Sequence, residues 1–182
     1  CSNCSNGFSF MARFEPGVVW ALPYTKPRLL SLVTSYKQRL ELYFQEDKIV
    51  FEYQRNDKAQ PYTFMPDYVF KKNHWYHLVV TLDNTTLAFY INGMNIGQFQ
   101  LKRGLKLDGR IDNGRIANSA PSDLSMSKIA SSEMPLIFNM SCVYMFSSAL
   151  SPETIQLMSL LPIDFVYSFS PLPSNMNSEI PA

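Results

Sequence analysis

Residues 73–93, with the sequence NHWYHLVVTLDNTTLAFYING, constrain the fold more than any other part of the chain. Within them, residues 75–82 are mostly aromatic or β-branched and predict a strand that is covered on both faces. An Asp-Asn-Thr turn then interrupts the pattern. After it, residues 87, 89 and 91 fall on one face and residues 88 and 90 on the other, which is the period-2 pattern of a strand. Asn92 and Gly93 tolerate the positive φ that a tight hairpin turn needs. The segment therefore predicts an antiparallel meander in an all-β protein.

The rest of the chain predicts further strands and one helix. Apolar alternation predicts strands over residues 7–14, 29–34, 40–44, 49–53, 95–99, 136–146 and 165–170. The strand over residues 136–146 is strongly apolar, so we expect it in the centre of its sheet. Ser151, Pro152 and Glu153 form an N-cap, an N1 proline and an acidic first turn, which predict a helix over residues 151–161.

The 182 residues suit a single sandwich-type domain. We predict this domain over residues 1–170 and a linker or tail over residues 171–182. Residues 102–135 lack apolar periodicity and predict a long irregular loop, and loops of that length are usually functional or mobile. The chain opens Cys-Ser-Asn-Cys, without an initiator Met or a signal peptide, so we interpret it as a piece of a larger protein.

Charge and cysteine content argue against several classes of partner. The formal net charge of +1 provides no overall field that would draw the protein to nucleic acid or to a membrane. We therefore predict no nucleic-acid partner and only indirect membrane association. Cys1 and Cys4 have a CxxC spacing, but no second Cys/His pair completes a zinc site. We predict no metal and no cofactor, and the odd number of cysteines favours a reduced, cytosolic setting.

The central segment also resembles a known family. Its Trp-Tyr-His-Leu strand, polar turn, aromatic strand and Asn-Gly turn resemble the central hairpin of concanavalin A-like (laminin G-like) jelly rolls. This resemblance implies two curved antiparallel sheets packed face to face. The predicted fold class is all-β, a concanavalin A-like jelly-roll sandwich of two antiparallel sheets with one short C-terminal helix. Since this fold hosts many functions, the resemblance does not name an activity.

A narrower resemblance lies near the C-terminus. Residues 142–150 (CVYMFSSAL), 151–161 (SPETIQLMSLL) and 162–171 (PIDFVYSFSP) resemble the end of the concanavalin A-like domain of BEACH-family proteins of the neurobeachin, LRBA and Beige types. Residues 7–15 and 72–80 fit the same family. The resemblance implies a module of a large intracellular scaffold that is implicated in vesicle and membrane trafficking. The expected location is cytoplasmic, peripheral to vesicles or endomembranes.

No catalytic group is evident. Jelly-roll glucanases place closely spaced carboxylates around a glycosidic bond. Here Glu41 and Glu52 alternate with apolar residues, which predicts that they solvate an exposed sheet face. His77, in the predicted strand, is expected to be packed and hydrogen-bonded. Asp83 and Asp112, considered as calcium ligands, are expected to cap their own turns. The sequence therefore predicts that the protein is not an enzyme.

The candidate ligand-binding residues are aromatic or basic. They are Trp20, Tyr24, Tyr36, Tyr53, Arg110 and Arg115. Aromatic faces stack on sugar rings, and Trp20 lies in a Pro-rich loop, although it could instead anchor that loop to the rim of the core. The basic residues could meet phosphates, anionic lipid or an acidic protein, or form part of a solvated loop. Trp75 is expected in the core.

We therefore predict a non-catalytic binding module for an oligosaccharide. One alternative is a protein-docking or interdomain structural module that binds no sugar, with neighbouring domains of the same protein as partners. The other is a secreted laminin G-like adhesion domain, which a disulfide from Cys1 to Cys4 or to Cys142 would favour.

Overall fold

A computed structural model of the chain describes residues 7–17, 27–45, 47–101, 105, 107, 110–118 and 138–162. They form strands that pair antiparallel and one helix. In chain order the elements are β1 (Gly7–Pro16), β2 (Arg28–Thr34), β3 (Arg39–Gln45), β4 (Lys48–Gln54), β5 (Tyr62–Phe64), β6 (Tyr76–Asp83), β7 (Thr86–Ile91), β8 (Met94–Gln100), β9 (Ile111–Asn118), β10 (Phe138–Phe146) and α1 (Pro152–Ser159). Sheet A has the order β10-β1-β6-β7-β8, and sheet B has the order β5-β4-β3-β2-β9. The predicted fold class is confirmed.

The main core lies between the two sheets and is rich in aromatic side chains. Alternate residues of β1 enter it, and Phe14 is completely buried. The Phe14 ring lies 5.3 Å from that of Phe44 on β3 and 5.5 Å from that of Phe70. Phe70 in turn meets the Tyr76 ring edge-on at 5.0 Å. These contacts fix which ends of the two sheets lie over each other.

The helix α1 covers the outer face of sheet A. Its Ile155 is fully buried in a second cluster with Met11, Val79, Ala88 and Tyr90. This cluster explains why the β6 sequence is apolar on both faces: one face meets the core and the other lies in the second cluster. In the part of the chain that the structure describes, no helix has the length and hydrophobicity of a membrane span.

Both ends of α1 have hydrogen-bond partners. At its start, Ser151 Oγ accepts a hydrogen bond from the Thr154 N–H at 3.3 Å, as the predicted N-cap requires. At its end, Arg13 of β1 donates to the carbonyl oxygens of Met158 at 3.1 Å, Leu161 at 2.7 Å and Pro162. A cation at the C-terminus complements the helix dipole, so Arg13 fastens α1 to sheet A.

We expect Ser151→Ala to lower the free energy of unfolding by about 1 kcal/mol, because the first turn of α1 loses its capping acceptor. Urea denaturation at pH 7 measures the effect. Ser147→Ala is the matched control, since Ser147 is exposed and caps no helix. Equal stability of the two variants would contradict the capping role.

Three predictions about the strands are wrong. Among the described residues, β10 is an edge strand of sheet A, and it pairs with β1. Its apolar sequence has another cause: Met140 and Val143 pack on the main core, whereas Tyr144 and Phe146 pack on the cluster beneath α1. Trp75 precedes β6 instead of lying in the core, and its side chain is 40% exposed.

The third error concerns irregular segments that contain edge strands. The predicted loop over residues 102–135 includes β9, which pairs with β2, and β5 lies in a segment that was expected to be a connection. Both strands lie at the edge of sheet B and their described side chains are mostly exposed, so the apolar alternation that marks an inner strand is missing. The strand predicted over residues 165–170 lies outside the described residues, as does the proposed tail.

Candidate functional site

One end of sheet B brings several strand connections together, and we call it the loop end. The β2–β3 turn (residues 35–38) lies there. The β4–β5 loop (residues 55–61) starts beside it, because Gln54 at the end of β4 pairs with Arg39 at the start of β3. The start of β9 is also there, since the Ser35 N–H donates to the Arg110 carbonyl oxygen at 2.9 Å. With adjacent strands about 4.8 Å apart, the loop end spans about 19 Å from β5 to β9.

The β4–β5 loop borders an open cleft with a volume of about 510 Å³. The lining is more polar than apolar, and it consists of Arg55, Asn56, Ala59, Gln60, Pro61 and Tyr62. Tyr62 is 58% exposed and supplies an aromatic surface beside amide and guanidinium groups. The volume falls within the range of roughly 300–1,000 Å³ that small-molecule sites occupy.

Internal hydrogen bonds hold this loop in place. Asn56 Oδ1 accepts from the Lys58 N–H at 3.0 Å, and the Asn56 carbonyl oxygen accepts from the Ala59 N–H at 3.1 Å. The Ala59 carbonyl oxygen accepts from Gln54 Nε2 at 3.0 Å, which ties the loop back to β4. The backbone is therefore braced before any ligand arrives, which reduces the entropy lost on binding.

The structure brings together two of the predicted site residues. Tyr36 is 66% exposed in the β2–β3 turn, and the Ser35–Arg110 backbone bond places Arg110 beside that turn. Arg110 is itself exposed and lies 3.3 Å from an Asp112 carboxylate oxygen. Trp20 and Tyr24 lie outside the described residues.

The other two predicted site residues lie elsewhere. Arg115 is exposed on β9 and pairs with Ser31 of β2, so it belongs to the outer face of sheet B. Tyr53 is only 5% exposed and packs in the main core. The expectation that Tyr53 reaches an open sheet face is not met, because β4 directs it inward together with Phe51 and Ile49.

Sequence reasoning missed the cleft residues. The sequence predicts only a polar connection with two prolines over residues 56–66, and most of the cleft-lining segment RNDKAQPY, residues 55–62, lies within it. Its signal was the combination of an arginine, two side-chain amides and a tyrosine in one short loop, which is the set of groups that binds a polar ring. Nothing in the sequence alone showed that the loop folds around a cleft.

The outer face of sheet B carries a buried charged cluster. Arg28 Nε lies 3.1 Å from Glu41 Oε1, with side chains that are 8% and 2% exposed. Ser31 Oγ donates to the same oxygen at 3.2 Å. Tyr43, which lies on β3 like Glu41, donates a hydrogen bond to Glu52 Oε2 on β4 at 3.0 Å. Burial, followed by the Glu52 charge, raises the pKa of Tyr43 above its usual range, so it remains a donor.

This cluster corrects the prediction for Glu41. Its carboxylate does not solvate an exposed face, because it is buried against Arg28. Glu41 and Glu52 are directly opposed across the β3–β4 pair, where like charges repel, and the Arg28 and Tyr43 contacts offset that repulsion. A glycosidase needs two carboxylates that reach the substrate, and a Glu41 side chain that is 2% exposed cannot do so.

His77 is packed as predicted, at 5% exposure, but neither ring nitrogen has a hydrogen-bond partner in the part of the chain that the structure describes. The hydrogen-bonded part of that prediction is wrong. β1–β6 pairing places Arg13 directly opposite His77, and Arg13 directs its Nη donors to α1. Burial first, and the Arg13 charge second, lower the pKa of His77 to about 4.

The predicted turn carboxylates do not converge on a cation site. Asp83 accepts from Asn84 Nδ2 at 3.1 Å, and Asp112 faces Arg110. Within the described ranges, no group of three or more His, Cys, Asp or Glu side chains is placed to hold a metal ion. Cys142 is a half-buried free thiol, whereas Cys1 and Cys4 lie outside those ranges.

Two antiparallel sheets in this order, with a short helix on the outer face of one of them, define a jelly-roll sandwich of the lectin type. Residues 2–156 match the laminin G-like family that is described as the concanavalin A-like lectin/glucanases superfamily. The chain belongs to this superfamily. No curated protein matches the chain.

Similar folds occur in toxin binding domains and in a pentraxin. The binding domain of Paraclostridial Mosquitocidal Protein 1 has a TM-score of 0.59 at 12% identity, and the alignment covers 87% of this chain and 38% of that one. A structure of botulinum neurotoxin type C, whose cell entry depends on interaction with two ganglioside molecules, has a TM-score of 0.60 at 17% identity, and the alignment covers 85% of this chain and 35% of that one. A heptameric SAP-like pentraxin from Limulus polyphemus has a TM-score of 0.54 at 12% identity, and the alignment covers 85% of this chain and 70% of that one. At these identities the likeness shows the fold, and the chain spans little more than a third of the toxin domains.

Proposed function

We propose that this domain is a non-catalytic module that binds an oligosaccharide at the loop end of sheet B. The observation that carries the proposal is the braced polar cleft of about 510 Å³ with the exposed ring of Tyr62 on its wall. Aromatic faces pack on the C–H faces of sugar rings, while amides and guanidinium groups bind hydroxyls. Tyr36 and Arg110 extend the same edge, so a chain of several sugar units could follow it.

The comparisons support binding rather than catalysis. The chain shares its fold with binding domains, among them that of a neurotoxin whose cell entry depends on gangliosides. The carboxylate Glu41, which a hydrolytic pair would need, is held by Arg28 instead. Trp20 and Tyr24 remain predicted contributors from the loop that precedes β2.

A glycan array tests this function on the purified domain. We expect binding that is at least about tenfold weaker after Tyr62→Ala, since a stacked aromatic and its contacts contribute on the order of 1.4 kcal/mol. Trp75→Ala is the matched control, because Trp75 is a partly exposed aromatic that precedes β6 on sheet A. Trp20→Ala tests the predicted loop residue, and a chelator should change nothing. An array without hits, from a cooperatively folded sample, would overturn the proposal.

A second candidate function is docking of a neighbouring domain of the same protein on α1. Leu157 and Leu160 are 67% and 76% exposed and lie one helical turn apart. Met94, 65% exposed, extends this apolar surface, because Gly93 packs so closely on α1 that an added Cβ would lie 2.6 Å from Ser159 Oγ. Hydrogen exchange would show protection of α1 in the full-length protein relative to the isolated domain, and Leu160→Glu would abolish it.

We further propose that the domain belongs to a BEACH-type scaffold in the cytoplasm, peripheral to vesicles or endomembranes. The support is the resemblance of residues 142–171 to the end of that family's concanavalin A-like domain. Imaging of the full-length protein tests the location: a vesicle-associated cytoplasmic pattern is expected. Secretion with a Cys1–Cys142 disulfide would instead favour a laminin G-like adhesion domain.

A further inference from the structure

The loop end of sheet B is basic although the chain as a whole is nearly neutral. Among the described residues at this end, basic ones outnumber acidic ones: they are Lys37, Arg39, Arg55, Lys58 and Arg110, against Asp57 and Asp112. The formal net charge of the entire chain is only +1, so the excess is local. A local positive field raises the concentration of anions at a site and speeds their association.

The groups around the cleft are also mostly hydrogen-bond donors. Arg55 is exposed and makes no hydrogen bond or ion pair with any described residue. Asn56 uses its Oδ1 to cap the Lys58 N–H, which leaves the Nδ2 donor for a ligand. Gln60 has an exposed amide with no described partner, and it adds both a donor and an acceptor. A donor-rich cleft favours a ligand that is rich in acceptor oxygens.

We propose that this cleft takes an anionic cyclic polyol, that is, a sugar or inositol ring that carries phosphate or sulfate groups. The inference rests on the proposed sugar-binding function and specifies its ligand class. The Tyr62 ring packs on the C–H face of the polyol, and the Asn56 and Gln60 amides bind its hydroxyls. Arg55 pairs with the anionic group, because its planar fork matches two oxygens of a phosphate or sulfate.

The hydrogen bonds within the loop support this assignment. Arg55 follows Gln54, whose side chain donates a hydrogen bond to the Ala59 carbonyl oxygen and so ties the loop back to β4. Arg55 is thus carried on a fixed backbone, and it lines the same cleft as Tyr62 of β5. An exposed arginine on a mobile tail would give charge without shape, whereas here the charge, the amides and the ring border one cavity.

Calorimetric titration tests the ligand class with charged and uncharged forms of the same ring. The probes are a sulfated disaccharide, its desulfated form, inositol hexakisphosphate and myo-inositol. We expect each charged probe to bind at least about tenfold more tightly than its uncharged counterpart, with an affinity that falls as salt rises. Vesicles with a phosphoinositide, compared with soluble inositol phosphate, distinguish a lipid headgroup from a free polyol.

Two variants locate the interaction. Arg55→Gln should weaken binding of the charged probes by roughly tenfold more than binding of the neutral sugars, and it should reduce the salt dependence. Lys72→Gln is the matched control, because the Lys72 side chain is exposed and has no described partner, and the residue lies before β6, away from the loop end. Tyr62→Ala should weaken charged and neutral rings alike. Thermal melting confirms that each variant is folded.

The outcomes separate the two proposals. Neutral and charged rings that bind equally, with no effect of Arg55→Gln, would overturn the anionic assignment and leave the sugar-binding function intact. Inorganic sulfate that competes as well as the sulfated disaccharide would also overturn it, because the ring would then contribute nothing. No binding of any ring, charged or neutral, would overturn both.

Discussion

Glu41→Leu is expected to lower the free energy of unfolding by about 3–5 kcal/mol, since it removes the buried carboxylate that lies against the Arg28 guanidinium. The Arg28 and Glu41 side chains are 8% and 2% exposed, so water cannot replace the lost partner without opening the outer face of sheet B. Ser31 also loses its acceptor. Urea denaturation at pH 7 measures the change.

The double variant Arg28→Met/Glu41→Leu separates the pair from the site. It removes both charges while keeping apolar volume, and such replacements are often neutral or stabilising, so we expect stability to return to within about 1 kcal/mol of the original. The exposed Lys48–Asp67 pair provides a matched control, and Asp67→Asn should produce no measurable change. A Glu41→Leu variant as stable as the original protein would show that the cluster does not hold the sheet.

Stability is expected to fall by about 2 kcal/mol between pH 8 and pH 5 because of His77 alone. The pKa of His77 is lowered to about 4 in the folded protein from an ordinary value of 6.5, first by burial and then by the Arg13 charge. The unfolded chain therefore binds the proton more readily. The contribution of neutral His77 is complete above about pH 6.5 and is lost as the pH falls from there toward 4.

The only other histidine supplies the control for this prediction. His74 is exposed in the segment before β6, and its Nδ1 lies 2.8 Å from the Lys72 carbonyl oxygen. Denaturation midpoints measured from pH 8 to pH 5 should decline less steeply in His77→Asn than in the original protein. In His74→Asn they should decline as steeply as in the original protein. Protonated His77 lies opposite Arg13, and the two positive charges repel each other. Because Arg13 fastens α1 to sheet A, the helix signal should weaken first as the pH falls. The same slope in both variants would exclude His77 as the cause.

The sequence predicted the inner strands because burial leaves a periodic pattern. β1, β3, β4 and β7 alternate large apolar and other side chains, and the Asn92-Gly93 turn has the positive φ that its residue types allow. It missed β5 and β9, since an edge strand gains its pairing from backbone hydrogen bonds that any side chain permits. It also misplaced Trp75, because this residue continues the aromatic pattern of β6 although it lies one position before the strand begins.

The candidate site was only partly predictable from the sequence. Tyr36 and Arg110 were chosen as exposed aromatic and basic residues, and the β2–β9 pairing brings them to one edge. Tyr53 was chosen on the same chemical ground, yet its strand directs it into the core. The residue types that bind a ligand and those that pack a core overlap, and only the direction of each side chain distinguishes them.

By itself the sequence determined the antiparallel meander, the capped helix and the superfamily, because these depend on local periodicity, turn chemistry and side-chain size. The tertiary structure decided which charges are buried and which groups share a cavity. Arg28 and Glu41 are distant in sequence but become a buried pair through β2–β3 pairing, and residues 55–62 become a cleft wall through the fold of one loop. Such relations depend on the distances between strands, which no local pattern of residues encodes.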